Sequence, residues 1–477
     1  MRRDTVAARP AADKWFVLAT VGLGTFLTVL DSSIVNISLP TITRELHTDV
    51  TTIQWVVMGY LLTITGLLLT CGRVADLVGR KLVYMAGMAI FTLATALCGT
   101  AQAVEQLVAW RVLQGIGAAG VMALSGALTA SAFPQDERGK ALGINATLVA
   151  VGAISGPVLG GFLNDYLDWR WVFFARVPFG LLATLLAART LAGAVRPGRR
   201  RFDLLGGALL FLWLAALIVA VNQGSNLGWS SPATLTLFAA AGAGLAAFVA
   251  VERREREPML ALGLFRNRLF TAASASALLS FLANSASALL MPFYFVQGLG
   301  FPPSTAGVML LPQPLVMSVV APFSGWLSDR MGSRLLSTAG LGIACLGLLS
   351  LSTLHASSTY PEVAVRLAAM GLGIGLFGSP NTNALLSSVP RAQMGVASGM
   401  QATVRNLGMV VGTAIAGAAW TGRMAFHADR LAQLGELGEA EIALQSFVGG
   451  FQDALLVSAA ICSVGVFTSL VRGNGRQ

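Results

Sequence analysis

The sequence predicts an all-α polytopic membrane protein, and three observations lead to this fold class. Of the 477 residues, 55% are hydrophobic and only 11% are charged, whereas a soluble domain carries about 25% charged residues. The mean hydropathy is +0.71. The chain also holds fourteen mostly apolar stretches, each near the length of about 20 residues with which an α-helix crosses a bilayer. This composition excludes a soluble enzyme, a disordered chain and a disulfide scaffold.

The predicted spans follow one another along the whole chain. Each is rich in Leu, Ala and Gly and is too long for a strand of a membrane β-barrel. They cover residues 15–39, 52–71, 82–101, 106–132, 140–163, 171–192, 203–222, 233–251, 269–296, 303–326, 335–354, 363–387, 396–421 and 449–471.

The basic residues predict the orientation. With the N-terminus placed in the cytoplasm, the cytoplasmic segments hold 24 of the 32 Lys and Arg residues, as the positive-inside rule requires. Both termini are then cytoplasmic, and 199–201 and 252–268 are cytoplasmic loops. The net charge of +10 reflects these loops. A nucleic-acid partner is not expected, because the chain offers no long soluble basic face.

An internal duplication divides the chain. Shifted by 256 residues, positions 115–161 match their counterparts at twelve of 47 positions, and Gly72, Asp76 and Gly79 match Gly325, Asp329 and Gly332 at an offset of 253. Homologous halves are typical of transporters whose site lies between the halves near mid-membrane. We predict an N-terminal six-helix bundle over 1–192, two inserted helices with their linkers over 193–268, and a C-terminal six-helix bundle over 269–477.

Four strings of residues resemble the signatures of a known family. They are Gly72-Arg-Val-Ala-Asp76-Leu-Val-Gly79-Arg80-Lys81 after span two, Arg111-Val-Leu-Gln114-Gly115-Ile-Gly117 in span four, Gly152-Ala-Ile-Ser-Gly156-Pro157-Val-Leu-Gly160-Gly161 in span five, and Leu30-Asp31-Ser-Ser-Ile-Val-Asn36-Ile-Ser-Leu-Pro40 in span one. Together they resemble the major facilitator superfamily, and with fourteen spans its QacA/EmrB-like drug:proton antiporter branch.

The resemblance implies a major facilitator fold and proton-coupled export of amphipathic drugs, antibiotics or related small molecules. It also identifies the string from Gly152 to Gly161 as an antiporter motif. The expected energy source is the proton gradient, with no cofactor, and the expected location is the bacterial cytoplasmic membrane. The expected partners are the substrate, protons and the lipid bilayer, and we expect a monomer. The branch usually has Asn where this chain has Arg176.

Asp31 and Arg111 are the candidate proton-coupling residues. Asp31 lies midway along span one, where an ionised carboxylate needs a cavity or a partner. Burial disfavours its charged form and a nearby cation favours it, so it can switch between the two and carry a proton. Arg111 stays charged and can bias that switch. The structural alternatives are a packing carboxylate bonded to Ser32 or Asn36, and an inter-helix bond made by Arg111.

Further candidates lie in the loops and the other spans. A gating role at the cytoplasmic face, or simple retention of positive charge, is expected of Gly72, Asp76, Gly79, Arg80, Lys81, Asp329 and Arg330. The glycines of the antiporter motif predict close helix packing, and Pro157 predicts a bend. Candidate substrate contacts, each of which also fits helix packing, are Asn36, Tyr60, Gln114, Asn145, Asn284, Phe293, Gln313 and Asn381. Arg176 is expected to extend outward to water or to pair with Asp165 or Asp168, or else to line the outer cavity.

Other functions find less support in the sequence. The string G-x-x-x-x-G-K-[ST] is absent, so no use of ATP is expected. Neither a nucleophile–base pair nor a metal cluster occurs at membrane depth, so an enzyme is not expected. The alternatives that stay open are an uncoupled facilitator and a dedicated exporter of a metabolite or lipid-like compound.

Overall fold

The computed structural model describes residues 11–191, 204–255, 262–390, 393–434 and 437–471, without the side chains of 11–13, 204, 225, 226, 329 and 395. All regular elements in these residues are helical. The first eight helices are α1 (Ala11–Glu45), α2 (Val50–Ile53), α3 (Trp55–Val78), α4 (Arg80–Gly99), α5 (Val104–Ala132), α6 (Arg138–Tyr166), α7 (Trp171–Phe174) and α8 (Val177–Thr190). The predicted loop 199–201 and the span ends at 192 and 203 lie outside the described residues.

The remaining helices complete the chain. They are α9 (Leu204–Leu227), α10 (Pro232–Arg254), α11 (Arg268–Phe293), α12 (Pro303–Met309), α13 (Pro312–Met331), α14 (Ser333–Leu351), α15 (Tyr360–Ser387), α16 (Met394–Leu434) and α17 (Glu439–Leu470). A short 3-10 helix, Leu262–Arg266, precedes α11, and a π-helical turn, Tyr294–Gly298, follows it.

Several helices begin at residues that satisfy their free backbone N–H groups. Asp49 accepts a hydrogen bond from the Thr52 amide at 2.9 Å before α2, and Asn267 accepts one from the Leu269 amide at 2.9 Å before α11. Thr359 and Glu362 form a reciprocal capping box at the start of α15. Such caps matter most at membrane boundaries, because a bilayer offers no hydrogen-bond partners to a frayed helix end.

The helical fold predicted from the sequence is confirmed. In the described residues, thirteen segments are long and apolar enough to cross a membrane. The fourteenth predicted span, 396–421, is helical within α16, but Gln401, Arg405 and Asn406 make it less apolar than the others. Helices long enough to cross a bilayer therefore occur throughout the described residues.

Equivalent helices pack in the same way in the two halves. In the first half α1 packs on α6, and α5 packs on α3 and α4; in the second, α11 packs on α16, and α15 packs on α13 and α14. Gly79 between α3 and α4 has φ 103°, and Gly332 between α13 and α14 has φ 87°. This conformation favours glycine, so the repeated loop keeps the same backbone turn in both halves.

The halves meet along two seams. One is formed by α6 with α12 and α13, and the other by α3 with α16; α1 and α11 also contact each other between the two seams. The helix α9 packs on both α3 and α16, and α10 packs on α9. We call the end of the molecule that holds Trp169 and Pro303 the Trp169 end, and the end that holds Gly79 and Gly332 the Gly79 end.

Candidate functional site

A buried carboxylate lies between two guanidinium groups in the first half. Asp31 of α1 is fully buried, and the side chains of Arg111 and Arg176 are 1% and 4% exposed. Arg111 Nη1 donates to Asp31 Oδ2 at 2.5 Å, and Arg176 Nη1 donates to Asp31 Oδ1. One negative and two positive side chains thus form one buried cluster, which we call the Asp31 cluster.

Arg111 of α5 holds the cluster against a neighbouring helix. Its Nε donates to the carbonyl oxygen of Val56 in α3 at 2.9 Å. Its guanidinium carbon lies 4.1 Å from the centre of the Tyr60 ring, which is a favourable cation–π distance. The fixed fork of the guanidinium therefore connects α1, α3 and α5 at the level of Asp31.

Gln114 lies one helical turn from Arg111 and extends the network. Its Nε2 donates to Asp31 Oδ1 at 2.9 Å and to Thr95 Oγ1 of α4 at 2.7 Å. Its Oε1 accepts from Arg111 Nη1 at 2.6 Å. Buried polar groups are costly unless they are bonded, and this amide satisfies groups on three helices. The network holds the carboxylate in one position.

Arg176 differs from its predicted role. The expected pairing with Asp165 or Asp168 is wrong, since Asp168 pairs with Arg170 and Asp165 accepts from the Ser304 amide at 2.8 Å. The chain breaks its helix between α7 and α8, and Arg176 lies in that break. Its Nε donates to the Val172 carbonyl at 2.8 Å, which directs the guanidinium inward to Asp31 rather than outward to water.

A small cavity adjoins the cluster between the two halves. Its volume is about 40 Å³, which is room for a few water molecules, whereas ligand sites commonly measure about 300–1,000 Å³. Its lining residues come from α1, α3, α5, α11 and α16. They are Ser32, Asn36, Val57, Tyr60, Leu61, Arg111, Ser285, Ala288, Leu289, Met409 and Thr413. The halves therefore enclose a largely closed space beside Asp31.

Some predicted substrate contacts lie elsewhere in the molecule. Asn36 and Tyr60 line the cavity, whereas Gln114 lies behind Arg111 in the network. In the second half, Gln313 Nε2 donates to Asn284 Oδ1 at 2.9 Å, and Phe293 is buried against Trp420 with ring centres 5.1 Å apart.

The last two predicted substrate contacts are also away from the cavity. Asn381 is buried and donates to the Ala273 carbonyl at 3.2 Å. Asn145 of α6 is partly buried, and its Oδ1 has no hydrogen-bond partner among the described residues. Neither side chain is among those that line the cavity in this conformation.

The glycines of α6 serve two interfaces. A Cβ at Gly152, Gly156 or Gly160 would press into α1, where Ser33 Oγ donates to the Gly152 carbonyl at 3.1 Å. A Cβ at Gly161 would instead collide with the Pro303 carbonyl of α12 in the other half. Reciprocally, a Cβ at Gly307 of α12 would collide with the Pro157 carbonyl. The motif thus brings backbones of the two halves into contact near the Trp169 end.

Three of the predicted gating residues, Arg80, Lys81 and Arg330, contact groups of their own half. Arg80 Nη2 lies 3.8 Å from Asp76 Oδ1 one turn away, and Lys81 Nζ donates to the Ala188 carbonyl of α8 at 2.6 Å. Arg330 stacks on Trp326 at 4.0 Å. The Asp329 side chain is not among the described side chains. A Cβ at Gly72 would meet open space.

Sequence reasoning missed several parts of the site. Thr95 looked like an ordinary span residue, and Ser285, Met409 and Thr413 were not singled out as a cavity wall. The Arg176–Asp31 pair joins residues 145 positions apart in the chain. The available signal was the departure from the family pattern at Arg176, since a new charge at membrane depth requires a partner.

Comparison with known proteins agrees with the fold. Residues 21–413 match the Major Facilitator Superfamily. The chain is 36% identical to the multidrug resistance protein Stp of Mycobacterium tuberculosis (strain CDC 1551 / Oshkosh), over 84% of this chain and 76% of that one. It is 31% identical to the tetracenomycin C resistance and export protein of Streptomyces glaucescens, over 86% and 76%.

Two further comparisons broaden the picture. The riboflavin transporter RibZ of Clostridioides difficile (strain 630) is 33% identical, over 84% of this chain and 87% of that one. A crystal structure of a bacterial homolog of the human lysosomal transporter Spinster, inward-facing and unoccupied, superposes with a TM-score of 0.72 at 16% identity, over 97% of each chain. At this identity the likeness concerns the fold. The chain belongs to the Major Facilitator Superfamily and is a multi-pass membrane transporter whose relatives include multidrug and antibiotic exporters.

Proposed function

We propose that this protein is a proton-coupled antiporter that exports amphipathic drugs, antibiotics or related small molecules across the bacterial cytoplasmic membrane. The observation that carries the proposal is the buried Asp31 beside Arg111 at the cavity between the halves. The charge of a carboxylate in this position is balanced either by protonation or by neighbouring cations. Proton binding would therefore weaken the ion pair between Asp31 of α1 and Arg111 of α5. The relatives named for multidrug resistance and for tetracenomycin C export support the choice of substrate.

The proposed cycle follows from the contacts between the halves. The backbones of α6 and α12 touch at the Trp169 end, and at the Gly79 end Arg80 and Lys81 bond within their own half. With both termini in the cytoplasm, the Trp169 end faces outward and is the closed end in this conformation. Protonation of Asp31 would loosen the Asp31 cluster and permit the halves to rock about the cavity. The loop at the Gly79 end would engage the other half when that end closes.

The proposal also covers the energy source, the partners and the oligomeric state. The proton gradient would be the only energy source, with no cofactor and no nucleic-acid partner. The working unit would be a monomer in the lipid bilayer, because one chain supplies both bundles and the cavity between them. Transport is the function throughout, and no catalytic step is assigned to any side chain.

The test is transport of a fluorescent amphipathic dye by proteoliposomes, with and without an imposed pH gradient. Wild type should require the gradient for uphill transport. Asp31→Asn should lose uphill transport while keeping dye exchange down its own gradient. Asp429→Asn makes the same chemical change at an exposed acid of α16 and should behave as wild type. Gradient-independent transport by wild type would contradict the antiporter.

The riboflavin transporter among the relatives favours one alternative, a dedicated metabolite exporter. Such a protein would transport one compound and its close analogues, and would leave structurally unrelated dyes untouched. A panel of unrelated dyes with one flavin in the same proteoliposomes separates the two functions. An uncoupled facilitator would equilibrate any of these compounds without regard to pH.

A further inference from the structure

Arg405 is a cation within the predicted span 396–421, and the described residues supply no anion to balance it. It lies in α16, which packs against α3, α9, α11 and α17 at the centre of the molecule. Among the side chains that the structure describes, no carboxylate lies within ion-pair distance of its guanidinium, and its side chain makes no hydrogen bond. Burying an unpaired charge is expensive, so intramembrane arginines face a partner or an aqueous space.

The position of Arg405 relates it to the cavity between the halves. Residues four apart lie on the same face of an α-helix, and Arg405, Met409 and Thr413 follow this spacing. Met409 and Thr413 line the cavity. Arg405 is therefore one turn from the cavity on that face, toward the Gly79 end. Its side chain is partly exposed, which fits a residue beside a space rather than one sealed in a helix contact.

The opposite wall of the cavity also carries an excess of positive charge. The Asp31 cluster combines one carboxylate with two guanidinium groups, which leaves one net positive charge. Arg111 lines the cavity itself, and none of the described lining residues is Asp or Glu. Nη2 of Arg176 is buried without a hydrogen-bond partner among the described residues. Both walls therefore favour negative charge between them.

We propose that the substrate is an amphipathic anion whose carboxylate, sulfonate or phenolate group binds Arg405. The planar guanidinium fork matches such groups well. Leu61, Leu289 and Met409 would contact the apolar body of the substrate once the halves separate enough to admit it. The inference rests on the proposed function only in that the substrate binds between the halves; it does not depend on proton coupling.

The test compares two probes that differ in one group. 1-Pyrenebutyrate carries a carboxylate, and 1-pyrenebutyramide replaces it with a neutral amide on the same scaffold. Binding to the purified full-length protein is measured without any gradient, by energy transfer from tryptophan to pyrene. The variants are Arg405→Gln, which removes the charge, and Arg405→Lys, which keeps it. Arg423→Gln removes the same charge from an exposed arginine paired with Asp453.

Wild type should bind the carboxylate at least about tenfold more tightly than the amide, a factor equal to about 1.4 kcal/mol. Arg405→Gln should lose most of that preference, keeping only what the Asp31 cluster contributes, while binding the amide as wild type does. Arg405→Lys should keep more of the preference than Arg405→Gln, and Arg423→Gln should keep all of it. Equal wild-type affinity for the two probes would overturn the proposal even if Arg405→Gln failed to fold. A preference that is undiminished in Arg405→Gln would also overturn it. Binding is measured without a gradient, so the result can be interpreted even if the protein proves not to be an antiporter.

Discussion

Arg176 and Asp31 form a buried ion pair that joins the break between α7 and α8 to the middle of α1. Arg111 binds the other oxygen of the same carboxylate. Asp31 is therefore held by α5 and by the break between α7 and α8, and all three of these helices pack against α1. The position of α1 therefore depends on the charges of Asp31, Arg111 and Arg176.

Replacement of Arg176 by Gln should destabilise the protein. Removing one partner from a buried ion pair costs about 3–5 kcal/mol, because the remaining charge stays buried. Arg111 still binds Asp31, so we expect a loss at or below the lower end of that range. Thermal unfolding of the purified protein in detergent measures the effect. Arg170→Gln, at a half-exposed pair with Asp168, is the control and should change little; an equal loss in both variants would contradict the prediction.

The same replacement should shift the pH dependence of transport. A nearby cation favours the ionised form of a carboxylate, and Arg176→Gln leaves Asp31 with one cation instead of two. Protonation of Asp31 then occurs at lower proton concentration, so the pH profile of gradient-driven dye export should move to higher pH. Profiles of wild type and variant in proteoliposomes check this. A profile that moves to lower pH would exclude the proposed role of Arg176.

Thr95 should stabilise the protein through the hydrogen bond that it accepts from Gln114. Thr95 and Thr92 are both buried, and each donates to a carbonyl in its own helix. Only Thr95 also accepts from Gln114. Thr95→Val should therefore lower the free energy of unfolding by about 1 kcal/mol more than Thr92→Val does, the usual contribution of one buried hydrogen bond. Equal effects of the two replacements would show that the Gln114 contact contributes nothing.

The contact between α6 and α12 predicts a glycine requirement for transport. A methyl group at Gly307 would meet the Pro157 backbone, which cannot move aside as a side chain can. Gly307→Ala should hold the halves apart at the Trp169 end and reduce dye transport at least about tenfold, the effect of about 1.4 kcal/mol. Gly342→Ala, in α14 with open space around it, should transport as wild type. Normal transport by Gly307→Ala would show that this contact is not needed for closure.

The orientation of the chain is open to a direct chemical test. Gln102 is exposed near the Trp169 end and Gln135 near the Gly79 end. In a background where Cys71, Cys98, Cys345 and Cys462 are replaced by Ala, a membrane-impermeant maleimide applied to intact cells should label Gln102→Cys. Gln135→Cys should be labelled only after the cells are opened. The reverse pattern would place the termini outside.

The sequence predicted the fold more completely than the site. Length and hydropathy define spanning helices because the bilayer sets both, and the repeat at Gly79 and Gly332 marked equivalent turns. Asp31 and Arg111 were singled out separately as candidate proton-coupling residues, and the structure brings their side chains together. The partner of Arg176 was not predictable, because spacing shows the face of a helix that a residue occupies but not which helix packs there. Phe293 illustrates the same limit: an aromatic side chain fits a cavity wall and a bundle interior equally well.

The place of α9 has a consequence for lipophilic compounds dissolved in the membrane. This helix covers the seam between α3 and α16, where Asn222 donates to Gln54 Oε1 at 3.3 Å, and α10 lies outside it. The seam between α6 and α12 has no such cover among the described residues. A compound dissolved in the membrane would therefore contact α9 and α10 on one flank and the α6–α12 seam itself on the other. Of the two seams between the halves, the described residues leave only the one between α6 and α12 without a covering helix.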